Sequence, residues 1–214
     1  MYHINFHVLS LPGDFVVINQ TMLLDQSTPT LSMLLIKGGQ LMFDQKDGIH
    51  LNAEHILITE NGQFTIGSPD EPFEHDAYVT LHGHVRSKEL PLYGAKSLSL
   101  RHGHLGFYGK HIVNTWAHLT ATAAQGATTI DVSLDVSDWK VGSKIVIAST
   151  SKSQRENEVA EIKAINGKTI TLENPLQYKH ISLTQTISGR TIETRAEVGL
   201  LSRNIVISGN KKLL

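Results

Sequence analysis

Two histidine pairs, His82-Gly83-His84 and His102-Gly103-His104, stand about 20 residues apart and are the residues best spaced for chemistry. In a strand, residues i and i+2 share a face, and neighbouring strands lie about 4.8 Å apart. If the two segments stacked, four imidazoles would face one another, a sufficient ligand set for zinc or copper. His82, His84, His102 and His104 are therefore the candidate metal ligands. The pattern fixes no carboxylate beside them, and turn glycines attract polar neighbours in any fold. A solvated histidine ladder, with no metal and no cofactor, is the expectation.

A second set is acidic. Asp70, Glu71, Glu74 and Asp76 fall in one stretch, with Arg86 and Lys88 in the next. Glycoside hydrolysis needs two carboxyl groups at a defined separation. Nothing in this spacing sets one, so a solvated acidic loop is expected and no catalytic residue is assigned. A third set would suit carbohydrate binding without catalysis: Lys110, His111 and Trp116, and again Tyr178, Lys179 and His180. Large aromatics are usually substantially buried, so Trp116 and Trp139 are expected in the core. Phosphate loops, nucleophile elbows and metalloprotease helices are absent from the sequence.

Composition narrows the classes further. The 214 residues are 40% hydrophobic and 18% charged, which suits a folded chain. With 19 basic and 20 acidic residues the net charge is −1, so no global field draws nucleic acid or an anionic membrane. The 12 histidines add positive charge as pH falls toward about 6. The sequence has no cysteine, which excludes disulfides and thiolate metal sites. No stretch is apolar enough to span a membrane, so no membrane insertion is expected of this segment. The first residues lack the basic and apolar regions of a signal peptide. A secreted or membrane-anchored protein would therefore contain this chain as a fragment. Asn19-Gln20-Thr21 is a glycosylation sequon, making Asn19 the candidate glycan acceptor.

The elements that would position these residues come from a repeat. Leu34–Phe43, Ile56–Ile66, Val79–Val85 and Leu98–Phe107 each read as an apolar/polar alternation, a glycine, and a second alternation. Gly39, Gly62, Gly83 and Gly103 recur at roughly 20 to 23 residues, the signature of a β-solenoid. Between residues 127 and 180 the pattern changes to short strands with tight turns, including Asn166-Gly167, a hairpin signal. Residues 1–30 are thus expected to form N-terminal cap strands, and 31–126 the ladder. An antiparallel insertion is expected at 127–190, and at 191–214 the start of a continuing ladder.

These pieces resemble the G8 domain family, named for its eight glycines. Gly13, Gly38, Gly62, Gly67, Gly83, Gly94, Gly103 and Gly109 sit where that pattern places them. Ile66–Phe73, Pro91–Lys96, Trp139–Ser149 and Arg195–Gly209 carry the rest of the likeness. The resemblance implies an all-β fold: a right-handed parallel β-helix, a pectin-lyase-like solenoid, with a small inserted antiparallel β-subdomain. It also implies an extracellular or cell-surface location within a larger membrane or secreted protein. Some relatives bind or depolymerise hyaluronan. The expected role is a non-catalytic scaffold and interaction segment, with an extracellular protein or a glycan such as hyaluronan as partner. The alternative is hyaluronan binding as part of a hyaluronan-depolymerising glycosidase that needs regions outside this chain.

Overall fold

A computed structural model describes residues 4–5, 10–84 and 86–210. The chain divides into two compact units, Met1–His111 with Arg203–Leu214, and Ile112–Ser202. Parts of the expected cap (1–3 and 6–9) and of the closing segment (211–214) lie outside the described residues.

The first unit opens with β1 (Ile4–Asn5), β2 (Phe15–Ile18), β3 (Thr21–Leu24), β4 (Met33–Lys37) and β5 (Gln40–Phe43). It continues with β6 (Ile49–Ala53), β7 (His55–Ile66), β8 (Ala77–Leu81) and β9 (Ser97–Phe107). The second unit holds β10 (Trp116–His118), β11 (Thr129–Asp131), β12 (Lys144–Ile147) and β13 (Glu158–Asn166). It adds β14 (Thr169–Leu172), β15 (Ser182–Ile187), β16 (Arg190–Arg195) and β17 (Glu197–Leu200). The last strand, β18 (Ile205–Gly209), returns to the first unit.

Two parallel sheets build the first unit. One has seven strands in the order β1-β3-β5-β7-β4-β2, with β9 paired to β7; the other has three, β18-β8-β6. Strand β7 serves both arms of the larger sheet, because left-handed Glu60 and Asn61 (φ 51° and 63°) bend it midway. Its first half pairs with β4 and its second half with β5. Period-two burial follows from the alternation: Ile56, Ile58, Phe64 and Ile66 point inward and are fully buried. They meet Leu51, Ala53, Ala77 and Val79 of the smaller sheet in one apolar core. Asn204 ties this unit together below β18. Its amide donates to the carbonyls of Phe73 and His75, and its side-chain oxygen accepts the Lys110 N–H.

The second unit is antiparallel throughout. Its six-stranded sheet runs β10-β17-β12-β13-β14-β11 and rolls up, so that Leu119 bridges Val132 beyond its two outer strands. Ile130, Val132, Trp139, Ile145, Ile147, Ile162, Ile170 and Val198 fill its interior. Strands β13 and β14 meet across the Asn166-Gly167 turn, as the hairpin signal predicts. Hairpin β15–β16 stands apart as its own two-stranded sheet. The small-residue run before Gln125 folds as extended chain and turns after β10.

The expected right-handed parallel β-helix with a small insertion is therefore corrected. Parallel pairing is confined to the two sheets of the first unit, and the antiparallel part is a rolled sheet with its own core. Nor do the four repeats make four equivalent rungs. Those at 34–43, 56–66 and 98–107 lie in the seven-stranded sheet, whereas Val79 lies in β8 of the other. The reason is physical. Alternation specifies a strand and the face it buries, but not which sheet it joins. The glycines Gly62 and Gly103 do not turn the chain; they lie within β7 and β9, in register with one another. A side chain at Gly103 would strike the carbonyl oxygen of Gly62, so glycine is required by the close approach of two backbones.

Candidate functional site

The two histidine pairs do not share a sheet. His82 follows β8, and its Nε2 lies 3.0 Å from the Asn52 Oδ1. The His84 Nδ1 accepts the Arg86 N–H at 3.1 Å. His102 and His104 are exposed on β9, the former in the left-handed conformation (φ 57°) that bends the strand. Among the described residues no group of three or more His, Asp or Glu side chains is placed to hold a metal ion. In the acidic stretch, Asp70, Glu71 and Glu74 are exposed.

Aromatic and basic candidates also separate. Trp139 is buried, its indole N–H donating to the Asn114 carbonyl. Trp116, expected in the core, is 52% exposed. It occupies the solvent side of β10, edge-to-face with His118 at 5.0 Å, because only Ala117 of that strand points inward. Lys110 and His111 are exposed, as are Tyr178 and Lys179.

His180, grouped by sequence with those last two, is fully buried instead. Its Nδ1 faces the Ala148 carbonyl at 2.9 Å and its Nε2 faces a Glu158 oxygen at 2.7 Å. A backbone carbonyl only accepts, so the ring donates from Nδ1 to Ala148, and Nε2 is held against the carboxyl group of Glu158. Glu158 also accepts the Gln177 and Tyr178 N–H groups. This pin fastens the segment before β15 to β13. Glu158 further lines a cleft of about 320 Å³ with Lys144, Glu161, Asn174 and Gln177. Its carboxylate is committed to those donors, which leaves the cleft without a free base from this residue. No sequence pattern joins Glu158 to His180; antiparallel folding alone brings them together.

The feature that sequence reasoning missed lies at the β9 and β18 side of the first unit. Leu98, Leu100, Leu105 and Phe107 register with the fully buried Ile56, Ile58, Phe64 and Ile66 of β7. Ile205 and Ile207 register with Ala77 and Val79 of β8 in the same way. The inner columns thus continue outward by one strand in both sheets. Their last members are only partly covered: Leu100 and Ile207 are each 46% exposed. Strands β9 and β18 are also sheet edges, so one side of each backbone has no partner strand among the described residues. An uncovered core and two unpaired edges therefore coincide. Such edges are templates for strand addition.

The G8 domain family model matches residues 5–120. The chain is 51% identical to Fibrocystin-L of Homo sapiens over 205 residues, covering 92% of this chain and 5% of that protein. Fibrocystin of Mus musculus is 36% identical over 202 residues, covering 92% of this chain and 5% of that protein. A G8 domain-containing protein of Dictyostelium discoideum is 34% identical over 169 residues, covering 75% of this chain and 11% of that protein. The chain thus spans about 5% of the length of its fibrocystin relatives. Among the described residues no helix is long and apolar enough to cross a membrane. The likeness carried by the spaced glycines holds, and the chain belongs to the G8 domain family, a kind of domain found within much larger proteins.

Proposed function

We propose that this G8 domain is a non-catalytic scaffold and interaction segment of an extracellular or cell-surface protein, engaging its neighbours through the β9 and β18 side of the first unit. One observation carries the reading: the core columns run out to half-exposed Leu100 and Ile207 on two unpaired edges. Covering the exposed half of one such side chain contributes roughly 1 kcal/mol, so several together make a docking surface. The test replaces Leu100 and Ile207 by Asp. The chain alone stays folded with a lowered melting temperature, because both positions are about half exposed. Human Fibrocystin-L carrying this chain in place of its matching region resists proteolysis with the native residues and loses resistance with the two aspartates. Equal resistance of both grafts would sink the reading.

A second reading is glycan binding, hyaluronan included, and Trp116 favours it by presenting an indole to solvent beside His118. Failure of the chain to retain hyaluronan at low salt ends that reading. Retention without shortening of the polymer separates binding from hydrolysis. Asn19, exposed between β2 and β3, is our proposed glycan acceptor, checked by a mass shift that Asn19→Gln removes.

A further inference from the structure

The partner of the β9 edge can be described by its chemistry, an inference that rests on the reading of that edge as an interaction surface. From His82 to His104 the chain carries Arg86, Lys88, Lys96 and Arg101, with Glu89 as its one acid and four histidines besides. The whole protein, by contrast, is nearly neutral. Arg86, Lys88 and Arg101 are exposed and form no ion pair among the described residues. His84, His102 and His104 are exposed beside them in sequence.

Strand register says what is missing. Lys37 of β4 pairs with Thr59 of β7, and Thr59 pairs with Arg101 of β9. The three therefore form one outward row across the sheet. Lys37 is met by Glu60 of the adjacent strand, 3.4 Å from its ammonium. Arg101 occupies the same row two strands along, and among the described residues its outer side has no strand to supply an acid. The inward positions of β9 are apolar and the outward ones are Ser97, Ser99, Arg101, His104 and Gly106, so the complement alternates apolar and polar residues, with a carboxylate opposite Arg101.

We propose that the β9 edge receives an extended, acidic polypeptide segment that adds as a strand. Its apolar residues cover Leu98, Leu100, Leu105 and Phe107, and a carboxylate meets Arg101 as Glu60 meets Lys37. Backbone pairing supplies affinity, and the alternating side chains supply selectivity. Charge complementarity discriminates against neutral and basic segments.

Peptides as long as β9, 11 residues, provide the probe. All alternate valine with a polar residue, which is Glu, Gln or Lys. Binding to the full chain is followed by fluorescence anisotropy, and protection of the β9 amides by hydrogen exchange. The Glu peptide is expected to bind about tenfold more tightly than the Gln peptide, the worth of one charge-assisted contact. It should also slow exchange along Leu98–Phe107, and Arg101→Glu should transfer the preference to the Lys peptide. Equal binding of all three peptides, with β9 protected, overturns the acidic preference while leaving the edge an interaction surface. Polyglutamate binding as tightly as the alternating peptide overturns it too, since charge alone would then suffice. If no peptide protects β9, the inference and the edge reading fall together.

Discussion

Ile58 and Leu100 are register partners on neighbouring parallel strands, yet Ile58 is fully buried and Leu100 is 46% exposed. The same type of inward position has two environments one strand apart. Truncation separates them. Ile58→Ala should cost about 2–5 kcal/mol in denaturant unfolding, because it empties a closed core. Leu100→Ala should cost roughly 1 kcal/mol in the chain alone, because only about half of that side chain is buried. Equal losses would mean that the β9 side is as closed as the rest.

Gly103 supports the same pair of strands from their backbones. A Cβ there would strike the Gly62 carbonyl oxygen and stand 2.9 Å from the Ile58 Cγ2. Gly103→Ala should therefore destabilise by about 1–3 kcal/mol, the usual range for overpacking. Gly126→Ala is the comparison, with nothing within 4 Å of its Cβ position but a positive φ of 84°. A thermal melt in which Gly103→Ala is silent would contradict the stacking of the two strands.

In the second unit the buried His180–Glu158 pair is expected to behave as a unit. Removing either partner leaves a buried polar group of the other unsatisfied, at a cost of about 1–3 kcal/mol. Glu158→Gln and His180→Ala should each approach that loss, and the double variant should fall well short of their sum. A double-mutant cycle with additive losses would contradict the pairing.

Asp135 predicts a pH dependence. The Ser137 hydroxyl and then the Ser137 N–H hold its carboxyl below the usual range, with Lys168 adding a smaller attraction. The folded state thus favours the carboxylate more than the unfolded state does. The resulting stability is present above the usual carboxylate range and is lost as pH falls through the lowered value. Since Asp135 is exposed, the effect is small. The melting-temperature gap between the native chain and Asp135→Ala should shrink on acidification; a gap that widens would reverse the sign.

Much of the fold was legible where local chemistry decides it. Alternation located β4, β7 and β9, and the Asn166-Gly167 turn announced the β13–β14 hairpin. Sheet membership was not legible. The Val79 repeat has the same local pattern as the others, yet long-range packing places it in the second sheet, so the histidine pairs do not stack. Trp116 was misjudged because residue type predicts burial only on average, and strand phase turns this one outward. The exposed columns of β9 and β18 were hidden for a related reason. Leu98 and Ile205 read as core residues, and only the sheet order reveals that no strand pairs beyond theirs among the described residues.

Amide hydrogen exchange along Leu98–Phe107 and Ile205–Gly209 tests the account most directly. It is measured on the chain alone and on human Fibrocystin-L carrying this chain in place of its matching region. The account predicts that outward-facing amides of both strands exchange rapidly in the chain alone and slowly in the longer protein. Identical exchange in the two would contradict the claim that this side of the domain is where it meets its neighbours.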